Sequence, residues 1–283
     1  MTLDLFVDDP SRVLAAWPTA PFHNNQGRWH EPPPLTTSEI RGTIDARCIR
    51  PDEIVLIRNG KVTPQSLYVE DGRIIPSVIW ERHDHGDTIS LRNVQAVFPA
   101  VSALHAGLHA ELGHPMHVSA YLTPPGAQGL SHHWDSYPVL VAQAEGAKTW
   151  PIHRPVVENP LPEHLSFPKT GFTDEQRDHV RTAPSDFETT LRPGDTLWVP
   201  RGWIHAPYPV GAATSLHLTF AIRELTHHWL AQRLVAQAIT DPRMRQALPI
   251  GPSAGWDIAE RTAATELLTT VLSAKADEFD HLA

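Results

Sequence analysis

Short apolar or alternating runs separated by turn residues recur between residues 137 and 221, and this pattern predicts a β-rich centre of the chain. Two of the runs, Tyr137 to Gln143 and Lys148 to Ile152, flank Glu145-Gly146, a pair typical of a turn. We therefore expect these two strands to form a hairpin. A further strand is predicted over Thr196 to Val199.

The last strand of this region, Ser215 to Ala221, alternates most regularly. Successive side chains on a strand point to opposite faces. One face therefore carries Ser215, His217, Thr219 and Ala221, and the other carries Leu216, Leu218 and Phe220. A strand with one polar and one apolar face is expected to line a wet cavity on its polar side.

The region before residue 121 predicts a flank for this centre. We expect a short helix in Leu3 to Trp17, and a helix from Thr36, whose spacing to Glu39 matches a capping box, to about Ala46. Strands are predicted over Glu53 to Ile57 and Ser66 to Val69, with Asn-Gly and Asp-Gly turns after them. The Ala- and Leu-rich run Val101 to Leu112 predicts a further helix.

Two regions after the centre differ from it. Residues 155–185 are rich in proline and charge without clear periodicity, so we expect either a loop that covers a substrate or a mobile surface insertion. From Glu224 apolar residues recur at three- and four-residue spacing, and a second helix is predicted from about Trp256 to Phe279. The expected domains are residues 1–223 and a helical region, residues 224–283.

Charge and composition limit the partners. The 283 residues include 23 basic and 32 acidic side chains, a formal charge of −9, which disfavours general binding to nucleic acid. One cysteine excludes an internal disulfide. The chain begins without signal-peptide features and has no apolar run near the roughly 20 residues that cross a bilayer, so we expect a soluble, cytoplasmic protein.

His133 and Asp135 lie two positions apart, and His205 follows seventy residues after Asp135. On a strand the first two would share a face, while His132 and Trp134 would point away. Two imidazoles and one carboxylate form the facial triad that leaves positions open on non-heme Fe(II). The alternative is an ordinary hydrogen-bonded polar cluster, since the triplet alone is a weak pattern.

Two further features bear on a metal site. A hairpin would carry Lys148 toward these ligands, and a lysine buried there needs an anionic partner such as a dicarboxylate co-substrate. A surface position for Lys148 is the alternative. His105 and His109 are one helical turn apart, with Glu111, His114 and His117 nearby, and form a competing zinc site.

Several ordered motifs from Ala103 to Ala221 together resemble the JmjC-type cupin hydroxylases, closest to the ribosomal oxygenase branch. They are the run from Tyr121-Leu-Thr-Pro-Pro-Gly, His133-Trp-Asp135, Gln143-Ala-Glu-Gly-Ala-Lys148, Pro200-Arg-Gly-Trp-Ile-His205 and Ser215-Leu-His-Leu-Thr219. The resemblance implies a mainly β fold with helices, a double-stranded β-helix, followed here by a C-terminal α-helical appendage. Because two predicted helices fill the residues after the barrel, we do not expect here the winged-helix domain common in that branch.

The resemblance also implies site roles. Fe(II) would be held by His133, Asp135 and His205, with 2-oxoglutarate as co-substrate and O2 as oxidant. Lys148 would pair with the distal carboxylate of 2-oxoglutarate, and Tyr121 would lie near it. Two positions depart from the pattern, Ser119 where the branch often has Asn and Ala221 where it often has Ser, and His217 is a candidate replacement contact.

These co-substrate contacts have ordinary structural alternatives. His217 is equally explained as a hydrogen-bonded core histidine. Tyr121 and Ser119 can simply pack and hydrogen-bond in the barrel wall.

The predicted function is a 2-oxoglutarate-dependent dioxygenase that hydroxylates an amino-acid side chain in a peptide or protein. The iron and co-substrate would carry the chemistry, and the protein would orient the target. One alternative is a non-catalytic cupin that binds a small ligand or metal. Another is a demethylase of N-methyl groups. The C-terminal helices are expected either to pack on the barrel or to form a homodimer.

Overall fold

The computed structural model describes residues 1–25, 27–162, 164, 173–247 and 258–279. The chain divides into two compact units, Met1–Glu224 and Leu225–Ala283, which are described separately. Most of the chain, including every candidate site residue, belongs to the first unit.

The strands are β1 (Phe22–Asn24), β2 (Ile54–Arg58), β3 (Lys61–Val62), β4 (Val69–Glu70), β5 (Arg73–Ile74), β6 (Thr88–Leu91), β7 (Met116–Thr123), β8 (Val139–Glu145), β9 (Ala147–His153), β10 (Phe187–Leu191), β11 (Thr196–Val199), β12 (Ile204–His205), β13 (Tyr208–Val210) and β14 (Ser215–Ile222). The α-helices are α1 (Ser11–Leu14), α2 (Thr37–Asp45), α3 (Pro76–Asp84), α4 (Pro99–Leu112), α5 (Asp174–Thr182), α6 (His227–Ala238) and α7 (Ile258–Phe279). Short 3-10 helices cover Leu3–Leu5, Pro51–Glu53, Gln65–Leu67, Val94–Ala96 and Pro242–Arg245.

Two large antiparallel sheets form the barrel of the first unit, and β4 and β5 form a separate two-stranded sheet. The larger has eight strands in the order β1-β11-β8-β14-β7-β6-β2-β3, and the smaller has the order β10-β9-β12 with β13 also paired to β9. A buried apolar cluster joins residues of both sheets: Val139, Val141, Leu197, Val199 and Ala221 from the larger, and Trp150, Ile152 and Leu191 from the smaller. The predicted double-stranded β-helix with helices is confirmed.

The outer face of the larger sheet carries the main core. Leu216, Leu218 and Phe220 of β14 are fully buried there, as the alternation of this strand predicts. The Phe220 ring meets the Phe6 ring edge-on at 5.2 Å between centroids, so N-terminal residues cover this face. Burying one such side chain contributes roughly 1.5–3 kcal/mol. The polar face of the same strand is thereby turned toward the barrel interior.

Most of the expected flanking elements are present. Thr36 caps α2 through a capping box with Glu39, and both Asn59 and Asp71 adopt the positive φ expected of their turns, at 48° and 49°. The expected helix in Leu3 to Trp17 is wrong in extent, because only Leu3–Leu5 and Ser11–Leu14 are helical.

One predicted strand begins too early. Ser66 and Leu67 belong to a 3-10 helix, and the strand starts only at Val69. Pro64 immediately before this helix has a φ of −54° and no N–H for a strand ladder, which favours a turn.

The prediction of a hairpin at Glu145-Gly146 is wrong. β8 pairs with β11 and β14, whereas β9 pairs with β10, β12 and β13, so the two strands lie in different sheets. Gly146 has a φ of 64° at the corner between them. A glycine at a tight corner looks the same in sequence as one in a hairpin turn. Lys148 still enters the barrel, but from the second sheet.

The segment between the barrel strands contains one helix that the sequence does not predict. α5 covers Asp174–Thr182, and its mostly charged sequence offers no apolar stripe for recognition. Residues 163 and 165–172 lie outside the described part of the chain. A substrate-covering role for this segment stays a prediction.

The second unit contains the two expected helices. Thr226 caps α6 by accepting a hydrogen bond from the Trp229 N–H at 3.1 Å, and α7 packs against α6. Dimerisation through this region stays a prediction. Within the described ranges, no helix combines the length and apolar character needed to cross a membrane.

Candidate metal centre

His133 and His205 are brought together by one backbone bridge between distant parts of the chain. The His133 N–H donates to the His205 carbonyl at 3.1 Å, and the His205 N–H donates to the His133 carbonyl at 2.8 Å. His205 ends β12, while His133 is an isolated bridge rather than part of a regular strand. The expectation of a strand at His133 to Asp135 is therefore wrong, although the two residues do serve one site.

The three predicted metal ligands form one cluster. One ligand atom from each of His133, Asp135 and His205 lies within 4.8 Å of the others, and among the described residues this is the group that meets the geometry of a metal site. His205 Nε2 lies 3.8 Å from Asp135 Oδ2. The two imidazole centroids are 4.2 Å apart. The donor set, two imidazoles and one carboxylate, matches Fe(II) with open positions.

Hydrogen bonds to the backbone orient both imidazoles. His133 Nδ1 donates to the Ser131 carbonyl at 2.8 Å, and His205 Nδ1 donates to the Trp203 carbonyl at 3.0 Å. Each donor bond places the hydrogen on Nδ1 and leaves a lone pair on Nε2, the tautomer a metal requires. The bound orientation is thus already present in the protein.

Burial of the cluster shifts the pKa values of its side chains. The pKa of His205 lies well below its usual range because its ring is buried, and the nearby His133 acts in the same direction. Burial raises the pKa of Asp135. A divalent cation supplies the positive charge that this carboxylate lacks, and it binds neutral imidazole and ionised carboxylate.

Tyr137 and Arg223 support Asp135 from the side. The Tyr137 hydroxyl is a hydrogen-bond partner of the Asp135 carboxylate, and the pKa of Tyr137 is raised, first by that carboxylate and then by burial. The phenol therefore remains a donor. The Arg223 guanidinium lies 4.1 Å above the Tyr137 ring, a cation–π contact.

A pocket beside the metal ligands, here called the inner chamber, contains the buried lysine. Its walls include Tyr121, Thr123, Lys148, Trp150, His217 and Thr219. Lys148 is 3% exposed, and its ammonium donates to Thr123 Oγ1 at 2.9 Å. Burial lowers the pKa of Lys148 to about 7. Among the described lining residues the only carboxylate is Asp135.

His217 is fixed within this chamber by two rings. It stacks on Tyr121 with centroids 5.0 Å apart and meets the edge of Trp150 at 5.4 Å. Its Nδ1 lies 3.2 Å from Lys148 Nζ and accepts from the ammonium. Burial, followed by the charge of Lys148, holds the pKa of His217 well below its usual range. The ring is thus a neutral acceptor that positions Lys148.

A second pocket, here called the outer chamber, meets the inner one at His133, Asp135 and Tyr121. Ser119 lines the outer chamber and not the inner one, where Lys148 lies. Ser119 and Ser90 interact with the Tyr121 hydroxyl, and burial raises the Tyr121 pKa to about 12.

Thr123 is a site residue that the sequence analysis missed. It follows Ser119 and Tyr121 at two-residue spacing on β7, so its position on the same face was a signal available in the sequence. Its hydroxyl is the direct partner of the Lys148 ammonium.

The competing histidines do not join a metal site. His105 Nε2 bonds the Met116 carbonyl at 3.0 Å, and His109 Nδ1 bonds the His114 carbonyl at 2.8 Å. His132 is not part of the three-residue cluster, and its ring lies 5.8 Å from that of His153. The zinc alternative is therefore not supported within the described part of the chain.

Residues 99–230 match the family model of the JmjC domain. Together with the double-stranded β-helix and the His-Asp-His cluster, this match shows that the barrel contains a JmjC domain, as the resemblance implied.

The curated relatives include proteins of the ribosomal oxygenase group. The chain is 31% identical over 221 residues to the bifunctional lysine-specific demethylase and histidyl-hydroxylase NO66 of Culex quinquefasciatus, covering 74% of this chain and 33% of that protein. It is 33% identical over 150 residues to ribosomal oxygenase 1 of Rattus norvegicus, covering 53% of this chain and 24% of that protein. The chain thus spans about a third or less of the length of these relatives.

Solved structures show the same fold at low sequence identity. The X-ray structure of E. coli ycfD has a TM-score of 0.60 and 16% identity, and the match covers 93% of this chain and 67% of that one. The complex of the ribosomal oxygenase YcfD with cobalt and 2-oxoglutarate has a TM-score of 0.59 and 14% identity, with 93% and 66% coverage.

Proposed function

We propose that this chain is an Fe(II)- and 2-oxoglutarate-dependent dioxygenase that hydroxylates an amino-acid side chain in a peptide or protein. The observation that carries the proposal is the open His133, Asp135 and His205 cluster beside a chamber with a buried lysine. The relatives named as histidyl-hydroxylase and ribosomal oxygenase support it. So does the binding of cobalt and 2-oxoglutarate by YcfD.

The inner chamber fits a dicarboxylate. A buried ammonium with neutral hydrogen-bond partners gains an ionic partner when a carboxylate enters, and this offsets its desolvation. Lys148 and Thr123 would bind the distal carboxylate of 2-oxoglutarate, with the other end directed toward the metal ligands. When bound, iron and 2-oxoglutarate supply an oxidant from O2 that hydroxylates a C–H bond, with succinate and CO2 as co-products.

The chain's own residues then act by positioning and exclusion. His133, Asp135 and His205 would hold the metal from one side and leave its other positions to co-substrate and oxidant. Val139 and Val141 close the inner chamber with apolar side chains, which limits water around the reacting groups. The target side chain would approach through the outer chamber, which opens beside the same ligands.

We further expect a homodimer formed by α6 and α7. Val235 on α6 and Ile239 at its end are 49% and 63% exposed, which leaves apolar side chains for a second copy. A monomer of 31.4 kDa in light scattering would contradict this. A reducing compartment such as the cytoplasm would keep the iron ferrous.

The test is succinate formation from 2-oxoglutarate by the iron-loaded chain with candidate peptides, together with mass spectrometry for the gain of one oxygen. Asp135→Ala is expected to abolish both while leaving the circular dichroism spectrum unchanged, because it removes a ligand and not a core side chain. Asp84→Ala, at an exposed position, is the matched control. Loss of a methyl group instead would indicate the demethylase, and turnover retained by Asp135→Ala would exclude the proposed site.

A further inference from the structure

Two arginines at the ends of strands on either side of β7 line the mouth of the outer chamber. β6 and β14 lie on either side of β7, and both run antiparallel to it. β14 ends opposite Met116, where β7 begins, and β6 ends opposite Ala120, in the middle of β7. Arg92 follows β6 directly, and Arg223 follows β14 directly. Both line the outer chamber, and both side chains are exposed.

Among the described residues that line the outer chamber, these two arginines carry the positive charge. The other ionisable residues in the described part of its wall, apart from the proposed metal ligands, are His117, Tyr121 and Tyr137. Burial lowers the pKa of His117 to about 4, with Arg223 and Arg92 acting in the same direction, so this ring is neutral at pH 7. Phenol groups are neutral at pH 7, so the two tyrosines add no charge.

The nearby carboxylates are engaged elsewhere. Asp135 is the only carboxylate among the described residues that line the outer chamber, and it belongs to the metal cluster. Glu224 pairs with Arg201 at 2.7 Å, and Glu53 accepts from Asn93 at 2.9 Å. Neither Arg92 nor Arg223 forms a salt bridge with a carboxylate in the described part of the chain. The mouth is thus cationic on a chain whose formal charge is −9.

The arginines are also suited in shape to bind an anion. A guanidinium presents several N–H groups in a plane and binds carboxylates through two parallel hydrogen bonds. The Tyr137 ring supports the Arg223 guanidinium from one face and leaves the N–H edge open for such bonds. A cationic group at this mouth would instead be repelled by both arginines.

We propose that the substrate of this site presents a carboxylate to Arg92 and Arg223 at the mouth of the outer chamber, while the carbon to be hydroxylated lies deeper, beside His133 and Asp135. This proposal rests on the proposed dioxygenase function and adds the substrate's charge class. The carboxylate belongs either to an acidic residue of a peptide or to a small carboxylic acid, and the experiment below separates these sources.

The experiment measures binding without turnover. The full chain is loaded with Mn²⁺ and 2-oxoglutarate in the absence of oxygen. Three fluorescent peptide pools of equal length are then titrated; they share randomised positions and differ only in carrying Glu, Gln or Lys at the fixed ones. We expect the Glu pool to bind about tenfold more tightly than the Lys pool, because charge complementarity at a rim favours one sign.

Variants assign that preference to the two arginines. Arg92→Gln and Arg223→Gln should each reduce the ratio between the Glu and Lys pools several-fold, whereas Arg92→Lys and Arg223→Lys should retain most of it. Arg73→Gln, at an exposed position on β5 away from this chamber, should leave the ratio unchanged. Equal binding of the Glu and Lys pools, or a preference that survives both Gln variants, would overturn the proposal.

Direct calorimetric titration with N-acetylglutamate methylamide identifies the source of the carboxylate. If this compound binds in a manner that depends on Arg92 and Arg223, and the peptide pools do not bind, the carboxylate is that of a small acid. If the Glu pool binds tightly, the carboxylate is that of a peptide. If neither binds, the proposal is wrong. Calorimetry of Mn²⁺ and 2-oxoglutarate binding is run in parallel. If Mn²⁺ and 2-oxoglutarate do not bind, the proposed function is refuted. If both bind but the peptide pools show no charge preference, only this inference is refuted.

Discussion

At Lys148 the chain buries an ammonium group whose hydrogen bonds go to a neutral hydroxyl, Thr123, and a neutral imidazole, His217. Burial without an anion disfavours the charged form of a lysine, and its pKa falls to about 7. This position is costly in the unliganded protein. The same cost makes the site selective, because only an anion of suitable size restores the favourable charge balance.

Replacing Lys148 with Met should weaken 2-oxoglutarate binding on the order of 100-fold, since truncating one partner of a buried charge pair costs about 2–5 kcal/mol. Mn²⁺ affinity should change little, because the metal ligands are different residues. Isothermal titration calorimetry measures both constants. Lys61→Met, at an exposed position, is the control. Unchanged 2-oxoglutarate affinity in Lys148→Met would remove Lys148 from the co-substrate site.

The affinity for 2-oxoglutarate should also fall as pH rises above about 7. Below the Lys148 pKa of about 7 the free protein already carries the ammonium. Above it the lysine is neutral, and binding the dianion must take up a proton, so the dissociation constant rises by up to about tenfold per pH unit. Titrations from pH 6.5 to 8.5 test this. Lys148→Arg keeps its charge throughout and should show a flat profile. An equal slope in that variant would contradict the assignment.

At the scale of elements, the pattern of side chains predicts what lies on each face better than which strands are neighbours. The polar and apolar faces of β14 follow directly from its alternation, and the capping box at Thr36 places the start of α2. The pairing of β8 and β9 could not be read in the same way. Two strands joined by Glu-Gly have the same local pattern whether they form a hairpin or turn a corner between sheets, and only the packing of the barrel decides.

Gly146 at that corner should not tolerate a side chain. Its φ of 64° disfavours an L-residue, and a Cβ would meet the Thr214 carbonyl oxygen. We expect Gly146→Ala to destabilise the first unit by about 2–4 kcal/mol, combining left-handed strain with overpacking. Gly72→Ala is the matched control, because its φ is 71° but nothing lies within 4 Å of the added Cβ. Urea denaturation compares them; equal losses would mean that the corner is not tightly packed.

At the scale of the molecule, the sequence predicted which residues cluster at the site but not the shape of the pockets around them. The cluster of His133, Asp135 and His205 and the burial of Lys148 were predicted, since their residue types and order are distinctive. The division into inner and outer chambers was not, because it depends on β6, β7 and β14 lying side by side. Thr123 and Ser119 are both on β7, yet the structure places them in different chambers. A four-residue offset along a strand moves a side chain by roughly 13 Å.

The two units should respond differently to the ligands of the site. All the proposed ligand-binding side chains lie in Met1–Glu224, so we expect ligand binding to stabilise that unit by about 2.7 kcal/mol for each ligand at 100 times its dissociation constant. Hydrogen exchange of slow amides in β7, β8 and β14 should therefore slow at least about 100-fold with Mn²⁺ and 2-oxoglutarate. Exchange in α6 and α7 of the second unit should change little. Asp135→Ala should lose the protection. Equal slowing in α6 and α7 would show that the two units unfold together, and unchanged exchange in β7 and β14 would exclude binding in the barrel.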